Sequence, residues 1–340
     1  MPDLISVIVP AHNAEATIGG CLDALCRQTL ARDRYEILVI DDASVDATCD
    51  RAKDGADRTI QLEKNKGPAG ARNAGARDAK GDLLVFTDAD CEPEERFLET
   101  LTSPLCDPDL DGTKGTYLTR QTRTTARFVQ LEYEDRYRRM ARFPEIDFVD
   151  TYAACVRRSC FERVNGFDDR LRICEDQDLS FRLTKSGAKL RFIPEARTYH
   201  RHEDRLLGYL AKKYKIAWWK VAVLRRHPDK ISKDTHTPQT LKAEMVAAFA
   251  VLGAVLAAPL LALWHSSALA IAVVCAPLVA FLALSLPFAW RAFRKDPGVG
   301  LVAPAYLFLR DLALGAGLAA GMLRAPRIGP TDEGVRGRTT

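Results

Sequence analysis

The sequence predicts an α/β fold on a parallel, doubly wound sheet, with a separate membrane-associated region behind it. Three observations carry this. From Ile5 to Ile193, apolar runs of strand length alternate with segments of helical spacing, the pattern of right-handed βαβ crossovers. Several of those runs stop abruptly in polar residues, which would gather along one edge of the sheet, where open α/β folds hold their ligands. Finally, no Asp, Glu, Lys or Arg occurs from Met245 to Trp290.

The elements follow in order. Ile5 to Pro10 reads as a first buried strand, followed by His12-Asn13. Ala14 to Gln28 has helical spacing, with Ile18, Leu22 and Leu25 as its inner stripe. Tyr35 to Ile40 is a second strand ending at Asp41-Asp42, with Ser44 and Asp46 available to cap a helix to about Asp54. Thr59 to Leu62 is a short third strand. Gly67-Pro68 opens a helix through Gly75, Pro68 standing where helix N-termini tolerate proline. Leu83 to Thr87 is a fully apolar strand closing on Asp88-Ala89-Asp90, two carboxylates that one backbone run can aim at a common point. Such a pair suits a hard cation, Mg²⁺ or Mn²⁺; a polar strand end is the alternative use. Asp41 and Asp42 could accept from a nucleobase or ribose, or serve turn chemistry. Arg72 sits where a helix N-terminus could face a phosphate.

Pro104 to Asp147 reads as less regular, with a charged helix from Thr125 to Phe143 whose face is expected to be solvated and ion-paired. Tyr152 to Val156 is a further strand, and Gly166-Phe167-Asp168 a turn. Glu175-Asp176-Gln177-Asp178 opens a helix closed by Gly187; three carboxylates in four positions exceed what capping needs. Lys189 to Ile193 is a strand, followed by Tyr199-His200-Arg201-His202.

Composition excludes several classes. The net charge of +4 is too small to imply nucleic-acid binding. Nine cysteines occur without a Cys-x-x-Cys pair or zinc spacing, as expected of small core residues in a reducing compartment. No basic-then-apolar leader precedes Leu4. There is no Walker loop and no Gly-x-Gly-x-x-Gly after the first strand, against a P-loop NTPase or a dinucleotide dehydrogenase.

The ordered set Ser6 to Asn13, Val39 to Ser44, Asn65-Lys66-Gly67, Gly70 to Gly75, Asp88-Ala89-Asp90 and Glu175-Asp176 resembles family-two glycosyltransferases over residues 4–203. The resemblance implies the GT-A fold, a Rossmann-like nucleotide-diphospho-sugar transferase domain, and inverting chemistry. It makes Asp88 and Asp90 the metal and diphosphate site, with His200 completing it and His202 the competing histidine. It places Asp41 and Asp42 at the base and ribose, Pro10, Ala11 and Asn13 along the nucleotide pocket, Arg72 near the diphosphate, and Asp176 as catalytic base. Processive synthases of the family carry Gln-x-x-Arg-Trp after the base; Tyr214 to Trp219 lacks it, which favours single-sugar transfer. A polymer synthase and a non-catalytic nucleotide-sugar-binding scaffold are the alternatives.

Arg205 to Arg226 has the composition of a basic amphipathic helix at an anionic membrane, or of a helix packed on the catalytic domain. Met245 to Trp264 and Ser266 to Trp290 are each long enough to span, joined by a tight turn. Arg291, Arg294 and Lys295, with the tail arginines Arg324, Arg327, Arg336 and Arg338, favour cytoplasmic ends. Val299 to Met322 carries Arg310-Asp311, costly at membrane depth; a spanning helix and a re-entrant or interfacial one are both open, the tail arginines favouring the segment that does not span. The expected organisation is a catalytic domain at 1–203, an interfacial helix and linker at 204–242, membrane helices at 243–323 and a polar tail at 324–340. This is a multi-pass protein of the cell inner (plasma) membrane with its catalytic domain in the cytoplasm. Its partners would be a nucleotide-sugar donor and a lipid-linked glycan or polyprenyl phosphate acceptor.

Overall fold

The computed structural model describes residues 4–231, 234–238 and 240–329; Arg336 and Arg338 lie outside them. Strands β1 (Ile5–Ala11), β2 (Tyr35–Asp41), β3 (Arg58–Gln61) and β4 (Leu83–Phe86) are joined by helices α1 (Ile18–Cys26), α2 (Thr48–Ala52) and α3 (Gly67–Asp78). These four strands pair parallel in the order β3-β2-β1-β4. The alternation of their side chains serves two cores. Val7, Val9, Ile37, Val39 and Val85 face one layer, while Ile8, Leu38, Ile40, Leu84 and Phe86 face the other. Each fully buried side chain of this kind contributes about 1.5–3 kcal/mol, and only a strand covered on both faces uses every position.

Beyond β4 the sheet ceases to be parallel. After β5 (Cys91–Pro93) and α4 (Phe97–Thr102) come β6 (Gly112–Leu118), α5 (Thr124–Met140), β7 (Ala154–Arg157), α6 (Arg158–Arg163), α7 (Glu175–Lys185) and β8 (Leu190–His200). The full order is β3-β2-β1-β4-β7-β6-β8-β5. β7 runs antiparallel to β4 and β6, β6 pairs parallel with β8, and β5 antiparallel with β8. The purely parallel sheet expected from the sequence therefore holds for the first half only. The reason is local: β6 and β5 are too short or too glycine-rich to announce themselves, and they complete the second half by long-range pairing.

Four long helices follow: α8 (Leu206–Arg226), α9 (Thr240–Trp264), α10 (Ser267–Lys295) and α11 (Pro297–Arg324). The last three are each long and apolar enough to cross a membrane, α11 being the least apolar. Ser266 caps α10, its hydroxyl accepting from Leu269 N at 3.2 Å. α8 and α11 lie against each other along their lengths. Gly317 and Gly321 make this possible, since a Cβ there would stand 2.3 Å from the Tyr214 carbonyl oxygen and 2.7 Å from that of Trp218. Arg310, in the middle of α11, is buried and pairs with Glu132 of α5 at 3.0 Å, Glu244 of α9 at 2.7 Å and Asp311 at 2.7 Å. α5 is thus no solvated face. It is the layer between the catalytic domain and the apolar helices, and its carboxylates are used inward.

Candidate functional site

The register Ile8↔Phe86 ends β4 while β1 continues to Ala11↔Asp41, so Asp88 emerges beside the polar ends of β1 and β2. Asp88 Oδ1 accepts from Arg72 Nη2 at 2.6 Å, and Arg72 Nη1 donates to Glu175 Oε1 at 2.8 Å. Burial works against the Arg72 charge, yet the two carboxylates more than offset it and hold the guanidinium above its ordinary range. Arg72 therefore clamps the end of β4 to the start of α7. Its two terminal nitrogens are taken up by protein carboxylates, while its buried Nε has no partner among the described residues.

Asp90 Oδ2 stands 3.3 Å from His200 Nε2 on β8. Burial would raise the Asp90 pKa, but the hydrogen bond and charge of His200 prevail and lower it. Behind it, His200 Nδ1 meets His202 Nδ1 at 3.0 Å, and His202 Nε2 meets Gln130 Oε1 at 2.9 Å. Burial, then the charges of His200 and Lys212, push His202 down to about 3, and both its ring nitrogens are engaged by protein, behind His200. Oxygens of Asp88 and Asp90 and the Cys91 sulfur lie within 4.8 Å of one another. Burial keeps the Cys91 thiol protonated, leaving two carboxylates and an imidazole nitrogen. That donor set fits Mg²⁺ or Mn²⁺.

Asp41 and Asp42 part ways. Both Asp42 oxygens are taken up by backbone amides, Lys66 N at 2.7 Å and Gly67 N at 2.8 Å, which fix the entry to α3. Asp41 Oδ1 accepts from Ser44 N at 3.2 Å, while its buried Oδ2 has no partner among the described residues. An unanswered buried oxygen at a strand end is the better acceptor for a ligand N–H or O–H. Asn13, at φ +50°, ties the loop after β1 to the one after β2: its N donates to Ser44 Oγ at 2.9 Å and its Oδ1 accepts from Val45 N at 3.0 Å. Pro10 and Ala11 form the β1 end beneath it.

Asp176, at the start of α7, is half-buried. Its Oδ1 accepts from Gln177 N at 2.8 Å. Burial, and then the charges of Glu175 and Asp150, raise its pKa well above the carboxylate range. Asp150 in turn ion-pairs with fully buried Lys114, which donates to the Tyr152 hydroxyl at 2.9 Å. Tyr152 stacks on Tyr117, and Tyr117 on His200, with ring centroids 3.3 and 4.2 Å apart.

A cavity of about 930 Å³ joins these parts. It is lined by Arg72, Asp88 and Asp176 at one end and by residues of α8, α10 and α11 at the other. Asp90, His200, Asp41, Asp42, Pro10, Ala11 and Asn13 stand outside that lining. Sequence reasoning overlooked Glu175 as the Arg72 partner, the Lys114–Asp150 pair and the Gln130–His202 support. Only the run Glu175-Asp176 carried a signal; the others come together from separate elements.

Residues 6–164 match the model of glycosyl transferase family 2. The pre-mycofactocin glycosyltransferase of Mycobacterium tuberculosis is 29% identical over 234 residues, which cover 66% of this chain and 48% of that protein. The probable glycosyltransferase YdaM of Bacillus subtilis is 27% identical over 221 residues, 59% and 51% of the two chains. This chain thus spans about half the length of both relatives. Glycosyltransferase AglE of Haloferax volcanii is 30% identical over 218 residues, 62% of this chain and 70% of the relative. Among solved structures, the mannosyltransferase PcManGT of Pyrobaculum calidifontis, a complex with GDP-Man and Mn²⁺, superposes with a TM-score of 0.61 at 21% identity. That match covers 94% of this chain and 87% of the other, a likeness of fold.

Proposed function

The chain belongs to glycosyl transferase family 2, and on that premise we propose that it is a membrane-anchored, metal-dependent inverting glycosyltransferase. It moves one sugar from a UDP- or GDP-sugar to an acceptor held at the bilayer, a lipid-linked glycan or polyprenyl phosphate. The observation that carries this reading is the single cavity that holds Asp88 and Asp176 and opens among the apolar helices.

In this reading Asp176 takes the proton of the attacking acceptor hydroxyl. Its raised proton affinity suits a base that must compete for that proton near neutral pH. Attack from the side opposite the departing nucleoside diphosphate inverts the anomeric carbon. Asp88, Asp90 and His200 would hold Mn²⁺ or Mg²⁺, which supplies positive charge to the leaving diphosphate; PcManGT was solved with Mn²⁺ and GDP-Man. Arg72 keeps Asp88 aimed, and Asp41 Oδ2 offers the nucleoside an acceptor. Asp42 and Asn13 shape that pocket through the backbone beside Pro10 and Ala11.

The membrane arrangement follows from packing. Arg291 pairs with Asp135 at 2.7 Å and Lys295 with Glu134 at 2.5 Å, so the end of α10 docks on α5 of the catalytic domain. α9 and α10 make a spanning hairpin whose two open ends face the cytoplasm with that domain. α11 lies beside α8, which carries Lys212, Lys213, Lys215, Lys220 and Arg225; taking α11 across the hydrocarbon would drag those charges with it. α8 and α11 therefore rest together at the inner membrane surface.

The test is nucleoside diphosphate release from a panel of UDP- and GDP-sugars by detergent-solubilised protein, with Mn²⁺ or EDTA and with membrane lipids as acceptor. Release from one donor that requires metal and vanishes in Asp90→Ala supports the reading. Binding of nucleotide sugars without release from any of them would make the protein a scaffold.

A further inference from the structure

The cavity does not end at Asp176. It continues between α5, α8 and the segment at 234–238 until it meets Phe288 of α10 and Leu307, Leu314 and Leu318 of α11. Along it, two basic groups have no ion pair among the described residues and stand beside a buried histidine. Arg136, on α5, makes no hydrogen bond or ion pair among the described residues; its guanidinium sits 5.0 Å over the Tyr133 ring. Lys220, on α8, donates to the Thr237 hydroxyl at 3.0 Å. His236 is nine-tenths buried with its edge on Phe148 at 3.9 Å, and its Nδ1 has no partner among the described residues.

Several neighbouring charges are matched, while Asp176, Asp234 and Lys212 of the same lining have no ion pair among the described residues. Lys213 pairs with Glu132, Lys230 with Asp147 and Asp150 with Lys114. Asp234 accepts from the Thr237 amide. Burial, then the charges of Arg136, Lys220, Lys114 and Lys213, hold His236 well below its ordinary value. Arg136 and Lys220, which have no ion pair among the described residues, thus bear on one unpartnered nitrogen. A buried positive field without its anion is costly to maintain, and this one opens directly onto an apolar channel.

We propose that Arg136, Lys220 and His236 form the binding site for the phosphate group of a lipid acceptor, whose chain leaves along α10 and α11. The site rests on the glycosyltransferase reading and narrows it, for it makes the acceptor an anionic lipid whose sugar hydroxyl reaches Asp176. The match is one of charge and shape. Arginine and lysine are the usual phosphate partners, a neutral imidazole can donate to phosphate, and the lining beyond includes Leu284, Phe288, Leu307, Leu314 and Leu318.

The experiment uses the full chain in detergent micelles and measures binding of geranylgeranyl monophosphate, geranylgeraniol and inorganic phosphate. Binding of a UDP- or GDP-sugar is measured in the same preparation. The lipid phosphate is expected to bind at least about tenfold more tightly than the neutral alcohol. Arg136→Gln and Lys220→Gln should each weaken it about tenfold, with donor binding unchanged. Arg136→Lys should retain most of the affinity, which separates lost charge from lost folding. Equal binding of alcohol and phosphate, inorganic phosphate binding as tightly as the lipid, or full affinity in both glutamine variants would each overturn the proposal. Donor binding without lipid-phosphate binding removes this site and leaves the transferase reading standing. Lipid-phosphate binding without donor binding does the reverse.

Discussion

Replacing Gln130 by Met should loosen the metal site from two residues away. Gln130 Nε2 donates to the Tyr117 carbonyl at 3.0 Å and reaches Glu134 Oε1 at 3.3 Å, which fixes the orientation of the amide. Its Oε1 can only accept, so His202 carries its hydrogen on Nε2. The His202 Nδ1 lone pair then accepts from His200 Nδ1–H across 3.0 Å. This chain of contacts aims His200 Nε2 at Asp90 Oδ2, 3.3 Å away, where the two would share a bound cation. Methionine nearly conserves the volume and removes the acceptor, freeing both imidazoles to change tautomer. Loss of such a support costs about 10–100-fold in metal affinity, or about 1.4–2.8 kcal/mol. Calorimetric titration of Mn²⁺ in the presence of nucleoside diphosphate measures it. Unchanged Mn²⁺ affinity in a folded Gln130→Met protein would refute the relay.

Arg72→Met should strand the Asp88 and Glu175 carboxylates, with a loss of about 3–5 kcal/mol and a lower melting temperature in detergent; an unchanged melt would mean that the clamp is not structural. Asp176→Asn should abolish transfer while nucleotide-sugar binding persists. The wild-type base works deprotonated and its pKa is raised, so kcat/KM should climb with pH through a limb above the ordinary carboxylate value of about 4. A limb at that ordinary value would contradict the buried, like-charged surroundings of Asp176. Gly317→Leu places a side chain where backbone already lies, 2.3 Å from the Tyr214 oxygen. It should part α8 from α11 and expose α8 to limited proteolysis, and unaltered cleavage would argue against the close approach.

Much of the catalytic half was legible beforehand because its signals are local. Strands buried on both faces must be apolar throughout, so β1, β2 and β4 stand out in sequence, and their polar ends follow from where the apolar runs stop. Glu175-Asp176 was conspicuous because three carboxylates at one helix start exceed the need for capping. β6 was not legible: Gly112-Thr113-Lys114-Gly115-Thr116 has the glycines of a loop and a lysine that is wholly buried. Only pairing with β7 and β8, and Asp150 brought beside it, makes Lys114 acceptable there. α5 was recognised as a helix, but its charges read as a solvated face because a charge pattern does not say what will cover it.

The sequence by itself thus determined the first four strands and the helices between them, the two carboxylates after β4, the acidic start of α7 and the apolar tail, since each depends on neighbours within a few positions. Tertiary structure alone decided the antiparallel half of the sheet, the clamp of Arg72 between Asp88 and Glu175, and the tautomers behind His200. It also decided that Asp42 serves the backbone while Asp41 keeps a free oxygen, and that α5 joins the site to the membrane helices. These depend on groups up to 178 residues apart, as with Arg310 and Glu132. A buried charge is stable only once its partner has arrived, and no local pattern says which partner that will be.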